Sequence, residues 1–147
     1  MNWLADTNVI SEPMRSRPNA DVMKWIDTHE ADLAISIVTL AELQHGVIIQ
    51  SDAAKRDRLE HWVSALVLPR FAQKTFALTL DVLLDFLTLA NRLETRGRPQ
   101  SAPDLLIAAT ARTHNLIVAT RNVCGFANTG ITVYNPWTDE THQMEAP

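Results

Sequence analysis

The chain has 147 residues, which fits one domain able to bury about two-thirds of its unfolded surface. With 17 acidic and 13 basic residues the net charge is -4, so bulk electrostatics does not mark a nucleic-acid binder, and any nucleic acid would have to meet a local basic face. Cys124 is the only cysteine, which excludes an internal disulfide and a thiolate metal cage and fits a reducing, cytoplasmic setting. No secretion-type leader is expected, and no apolar run approaches the ~18 residues that a membrane span needs.

In chain order, Asn2 to Ala5 is the first predicted strand. It ends at Asp6-Thr7-Asn8, and Asn8 to Glu12 with Pro13 makes a connector or a single helical turn. Arg15-Ser16-Arg17-Pro18 is a basic loop, and Asn19 caps a helix running to about Glu30 on the near-helical spacing of Val22, Trp25 and Ile26. Leu33 to Val38 is a strand, and Thr39 to about Gln50 resumes helical periodicity through Leu40, Leu43, Val47 and Ile48. Asp52 to about Leu66 is a further helix whose Lys55-Arg56-Asp57-Arg58 run is a solvated face, with Pro69 ending the region.

Phe76 to Leu80 is the third expected strand, although so short an apolar run does not separate strand from helix by periodicity. Val82 to about Thr95 is an apolar helix that Gly97 stops, followed by a second basic loop, Arg96-Gly97-Arg98-Pro99. Ser101 opens a helix through Ala111 that is rich in small residues and expected to be buried. Leu116 to Thr120 and Ile131 to Tyr134 are the last strands, and residues 138–147 form a polar tail expected to fray. Strands alternating with helices at this spacing imply a single α/β domain, a parallel sheet sandwiched by helices with right-handed crossovers.

Three acids stand out. Asp6 follows the first strand, and in open α/β sheets ligands and catalytic groups gather beyond the carboxyl ends of the strands. Glu42 and Asp104 each sit where a helix is expected to begin. Ionised carboxylates that converge repel one another, so a cluster must accept raised pKa values or hold a cation. Oxygen donors without cysteine or paired histidines favour Mg2+ or Mn2+ over Zn2+. His29, His45, His61, His114 and His142 are scattered. Capping competes with this reading: Thr39-x-x-Glu42 and Ser101-x-x-Asp104 both fit the capping-box pattern, and Asp6 could simply make an Asp turn. Trp25, Trp62 and Phe86 read as core residues.

Leu4-Ala5-Asp6-Thr7-Asn8-Val9, Thr39 to Gly46, Pro103 to Ala109, Val118 to Val123 and Val133 to Trp137 together resemble the successive motifs of PIN-domain proteins. The nearest group is the VapC toxins and FitB-like proteins, and the resemblance runs from Leu4 to Trp137. It implies a PIN domain over residues 1–137. It also implies metal-dependent endoribonuclease activity, often on tRNA or ribosomal RNA, a homodimer, and a cognate VapB-type antitoxin. Asp6, Glu42 and Asp104 match the family's first three acids, which makes them the expected catalytic and metal-holding residues. Thr7, Asn8, Thr120 and Asn122 are the expected supporting groups, and Arg15, Arg17, Arg96, Arg98 and Arg121 the expected substrate contacts.

The last motif departs from the pattern. The family's fourth acid falls where Asn122 or Gly125 stands, and neither is acidic. Three readings follow: a toxin-like ribonuclease, a catalytically weakened PIN domain that chiefly binds a partner, or an aspartyl-phosphate phosphatase with Asp6 as nucleophile. The phosphatase would call for a second Asp at position 8, which is Asn.

Overall fold

The computed structural model describes residues 2–147. A six-stranded sheet has the order β3-β2-β1-β4-β5-β6, from β1 (Trp3–Ala5), β2 (Leu33–Ser36), β3 (Thr75–Phe76), β4 (Ile117–Ala119), β5 (Thr132–Asn135) and β6 (Glu140–Gln143). All pairs are parallel except β5 with β6. β1 lies at the centre, with Leu4 opposite both Ala34 and Val118, and Ala5 opposite Ala119.

The alternation of side chains along the strands divides the core into two layers. Ala5, Leu33, Ile35 and Ala119 face one side, where they meet α1 (Thr7–Ser11), α2 (Ala20–Thr28), much of α3 (Ile37–Ile49), α4 (Ala53–Trp62) and α5 (Leu68–Phe71) through Val9, Val22, Trp25, Leu43, Trp62 and Phe71. Leu4, Ala34, Val118 and Val133 face the other, against α6 (Leu80–Thr95) and α7 (Ala102–His114) through Leu89, Leu93, Leu105 and Ile107. The fully buried aliphatic side chains among these, such as Leu4, Val9, Val22 and Ile107, each contribute about 1.5–3 kcal/mol.

Several boundaries differ from expectation, each for a local reason. α3 begins at Ile37 because Ser36, not Thr39, is its cap: the Ser36 hydroxyl accepts the Val38 N–H at 3.1 Å. The expected strand from Phe76 to Leu80 shrinks to Thr75–Phe76, because the Thr79 hydroxyl accepts the Val82 N–H at 3.4 Å and starts α6 at Leu80. Pro69 does not end its region. It lies in the first turn of α5, directly after a π-helical stretch, Val63–Val67, whose wider turn carries the chain on from α4. The tail expected to fray instead supplies β6, antiparallel to β5 from Thr132 opposite Gln143 to Asn135 opposite Glu140.

The expected helix signals at Asn19, Asp52, Gly97 and Ser101 are realised. Asn19 accepts the Asp21 and Val22 N–H groups, Asp52 the Lys55 N–H, and Ser101 the Asp104 N–H. Gly97 follows α6 with φ +67, a conformation that an L side chain rarely adopts.

Candidate active site

Parallel pairing brings the first two groups together. Ala5 and Ala119 are opposite one another, so the next residues, Asp6 and Thr120, emerge side by side at the carboxyl ends of β1 and β4. The ladder continues past the strands to hold them: the Asp6 N–H donates to the Ala119 carbonyl at 2.9 Å, and the Thr120 N–H to the Tyr134 carbonyl at 2.9 Å.

Asp6 is 6 % exposed and also caps α1. One carboxylate oxygen, Oδ1, accepts the Thr7 N–H at 2.8 Å. The other, Oδ2, accepts the Thr120 hydroxyl at 2.7 Å and the Asn8 amide at 3.3 Å. The Thr120 oxygen in turn accepts Asn8 Nδ2 at 3.1 Å and the Asn122 N–H at 3.0 Å. A hydroxyl has one proton and two lone pairs, so Thr120 is saturated. Asn8 Oδ1 accepts the Arg121 N–H at 3.1 Å, which ties the turn after β4 to α1.

Burial pushes the Asp6 carboxyl above the ordinary carboxylate range. The hydrogen bonds from Thr120 and the Thr7 backbone draw it part of the way back, and the charges of Asp104 and Glu42 push it up again. Both acids singled out with Asp6 are therefore near enough for their charge to act on it.

Asp104 lies in the first turn of α7, half-buried, and burial raises its pKa while its hydrogen bond with Ser101 lowers it. Glu42 is the sixth residue of α3, too far from the Ser36 cap for the capping box that the sequence allowed. Its partner is lateral instead: the Thr7 hydroxyl donates to Glu42 Oε1 at 2.8 Å. Thr39, the expected cap, is wholly buried, and its hydroxyl has no partner among the described residues.

Asn122 and Gly125 adjoin Asp104. A Cβ added at Gly125 would stand 2.5 Å from Asn122 Nδ2 and 2.6 Å from Asp104 Oδ2, so position 125 faces the acids and its bare backbone makes room for both side chains. Gly125 has no positive φ, so space rather than backbone strain explains the glycine. The loop before α7 is tied to the same turn, with Gln100 Nε2 donating to the Cys124 carbonyl at 3.0 Å.

The arginines are exposed and distributed over three loops. Arg15 and Arg17 lie in a loop that buried Glu12 closes by accepting the Asn19 N–H at 2.9 Å. Arg96 and Arg98 precede α7, and Arg98 donates to Asn128 Oδ1 at 3.1 Å. Arg121 places its guanidinium over the Trp137 ring at 5.4 Å. The roles of Gln100 and Ser36 carry no distinctive sequence signal, since one depends on a neighbour distant in the chain and the other on a shifted helix start, and Trp137, which ends the last motif, meets Arg121 only through the fold.

The family model for the PIN domain matches residues 4–129, which include all three acids and Gly125. The chain belongs to the PIN-domain family. Toxin FitB of Neisseria gonorrhoeae is 37 % identical over 137 residues, spanning 92 % of this chain and 99 % of that protein. VapC ribonuclease Y4jK of Sinorhizobium fredii is 34 % identical, over 90 % of this chain and 95 % of its own length. The solved structure of FitAcB from Neisseria gonorrhoeae superposes with a TM-score of 0.85 at 37 % identity, covering 92 % of this chain and 98 % of that one.

Whether this PIN domain's residues suit a divalent cation is tested by its donors. Asp6 and Asp104 offer hard oxygens whose ionised forms are disfavoured by burial, and Asp6 further by the other two acids, a conflict that a cation would relieve. The set fits such an ion without being a preformed cage, for no three His, Cys, Asp or Glu side chains among the described residues are grouped closely enough to enclose one.

Proposed function

We propose that this PIN domain is a toxin-like, metal-dependent endoribonuclease of a type II toxin–antitoxin pair. The observation that carries the reading is Asp6: a buried carboxylate at the end of the central strand, held by Thr7, Asn8 and Thr120 and within electrostatic reach of Asp104 and Glu42. The kinship with a VapC ribonuclease and a FitB toxin supports the activity class.

Asp6, Asp104 and Glu42 would hold Mg2+ or Mn2+. Bound there, the ion would supply Lewis acidity toward a phosphoryl oxygen and a more acidic water for hydrolysis. Thr120 fixes the Asp6 carboxylate with a donated proton, and Thr7 aims Glu42. Asn8 links Asp6 to Arg121, and Asn122 brings a neutral amide to the place where a fourth acid would stand. Arg15, Arg17, Arg96, Arg98 and Arg121 supply positive charge in flanking loops to an RNA substrate, with tRNA among the candidates.

The partners in this reading are a VapB-type antitoxin and a second copy of the chain. An apolar cleft of about 420 Å3 between Ile10, Met23, Ile26, Trp62, Leu66 and Phe71 suits an apolar helix of the antitoxin. Leu80, Leu84 and Leu87 stand exposed on α6 at helical spacing, the form of a self-association stripe.

A second reading, a weakened PIN domain that acts by binding, is favoured by the neutral groups at Asn122 and Gly125. Cleavage of labelled total RNA with Mg2+ or Mn2+, with EDTA and folded Asp6→Ala as controls, decides between them. Cutting that disappears in both controls supports the enzyme, and no cutting by wild type supports the binding protein.

A further inference from the structure

A cleft of about 500 Å3 opens between α2 and the turn after β5, its walls formed by Lys24, Trp25, His29, Tyr134 and Trp137. The rings are braced against one another. Trp25 stacks on His29 at 4.6 Å and on Tyr134 at 5.4 Å, and Trp3 packs edge-on against Trp25 and Tyr134 at 5.1 and 5.2 Å. Trp137 is fixed by its backbone, whose N–H donates to Oδ1 of buried Asn135 at 2.9 Å. Trp137 also carries the Arg121 guanidinium over its ring, and the Arg121 backbone is bonded to Asn8, itself a partner of Asp6 and Thr120. One residue thus joins the cleft to the acid cluster.

We propose that Trp137 and the cleft behind it receive an unpaired base of the RNA strand whose phosphate lies at Asp6 and Asp104, while Arg121 grips the adjoining phosphate. This rests on the ribonuclease reading above and names where that substrate is held. Single-stranded RNA is gripped by cations that follow its backbone and by aromatic faces on which splayed bases stack. Both elements meet at Arg121 and Trp137, and Arg121 is tied through Asn8 to Asp6. The lining itself sets Lys24 against Asp21 and Asp139, so RNA is favoured as occupant by Arg121, the cation over Trp137, and by its link through Asn8 to Asp6. Burial and Asp139 push the Tyr134 pKa up to about 12, so its hydroxyl keeps its proton at neutral pH.

The test uses the full chain in EDTA, so that no RNA is cut, and follows the anisotropy of a short, labelled, unstructured oligoribonucleotide. Trp137→Ala is expected to weaken binding about tenfold with an unchanged salt slope, and Trp137→Phe to keep most of the affinity. Arg121→Gln is expected to lower the salt slope by about 1. Crosslinks from 4-thiouridine RNA to the wild type are expected at residues of the cleft. Wild-type affinity in folded Trp137→Ala overturns the inference, whatever that variant does to protein partners. If Trp137→Ala does not fold, the crosslinks decide, and their absence from the cleft overturns it. A wild type that neither binds this RNA nor cuts total RNA with Mn2+ removes the ribonuclease reading and this inference with it, whereas equal binding by wild type and Trp137→Ala removes the cleft alone.

Discussion

The Thr120 hydroxyl donates its only proton to Asp6 Oδ2 at 2.7 Å while accepting from Asn8 and from the Asn122 backbone. This hydroxyl therefore connects the ends of β1 and β4, the start of α1 and the turn that carries Asn122. Thr120→Val should cost about 1–3 kcal/mol, because it leaves the Asn122 N–H without an acceptor, the Asn8 amide with Asp6 alone, and a buried carboxylate without its shortest bond. The lost bond is one that lowers the Asp6 pKa, so Mn2+ binding should need a higher pH in Thr120→Val than in wild type. Thr120→Ser should restore both properties, and Mn2+ titrations at several pH values, read beside thermal melts, check this.

The raised pKa values of Asp6 and Asp104 set the sign of a pH effect. A carboxyl whose folded pKa exceeds its ordinary value of 3.8 stabilises the native state fully below 3.8 and loses that contribution as pH rises through the folded value. Without metal, Asp104→Asn should therefore gain in melting temperature relative to wild type as the pH is raised above 3.8. A cation favours the ionised form, so the stabilisation of wild type by Mn2+ should grow over the same range and be absent in Asp6→Ala. A gain that does not vary with pH would contradict the electrostatic conflict assigned to these acids.

Substitution of any one of the three acids should have the same consequence, because each contributes to one shared site. Asp6→Ala and Asp104→Ala should abolish most RNA cleavage. Glu42→Ala should do the same, and Thr7→Val, which only releases Glu42 from its 2.8 Å bond, should cost about 10–100-fold in metal affinity or activity. Wild-type cutting rates in any two of the folded alanine variants would rule out a shared metal site.

The position of the fourth acid can now be approached through space. Gly125→Asp would first have to displace Asn122 and Asp104, which stand 2.5 and 2.6 Å from its new Cβ. Asn122→Asp adds charge beside Asp104 without adding an atom to the crowded point. We expect Asn122→Asp to tighten Mn2+ binding and raise cleavage, and Gly125→Ala to weaken both. Calorimetric Mn2+ affinities for the two variants provide the check, and the opposite order would place Asn122 away from the ion.

Basic loops offer a separate measurement. Neutralising Arg96 and Arg98 together should weaken RNA binding and reduce the salt slope by about 2 if both release phosphate counterions. Arg98 is held by Asn128, so Asn128→Ala should reproduce part of the loss without altering net charge. An unchanged slope in the double variant would assign these residues to solubility.

The sequence by itself determined the α/β class and the order of most elements, and it supplied Asp6, Glu42 and Asp104 as candidates, because these depend on local periodicity, on cap residues such as Asn19 and Ser101, and on motifs that keep their spacing. Short-range competition was harder to read. Ser36 took the cap expected of Thr39, because either hydroxyl could have opened that helix, and Thr79 turned most of a short apolar run into the start of α6. Only the tertiary structure decided what required two distant segments at once. The parallel register of β1 with β4 put Thr120 against Asp6 across 114 positions, and α3 brought Glu42 to Thr7. Gly125 read as the loss of an acid and proved to be the space that Asn122 and Asp104 share. The polar tail found its order in β5, whose backbone donors and acceptors no feature of the tail itself could reveal.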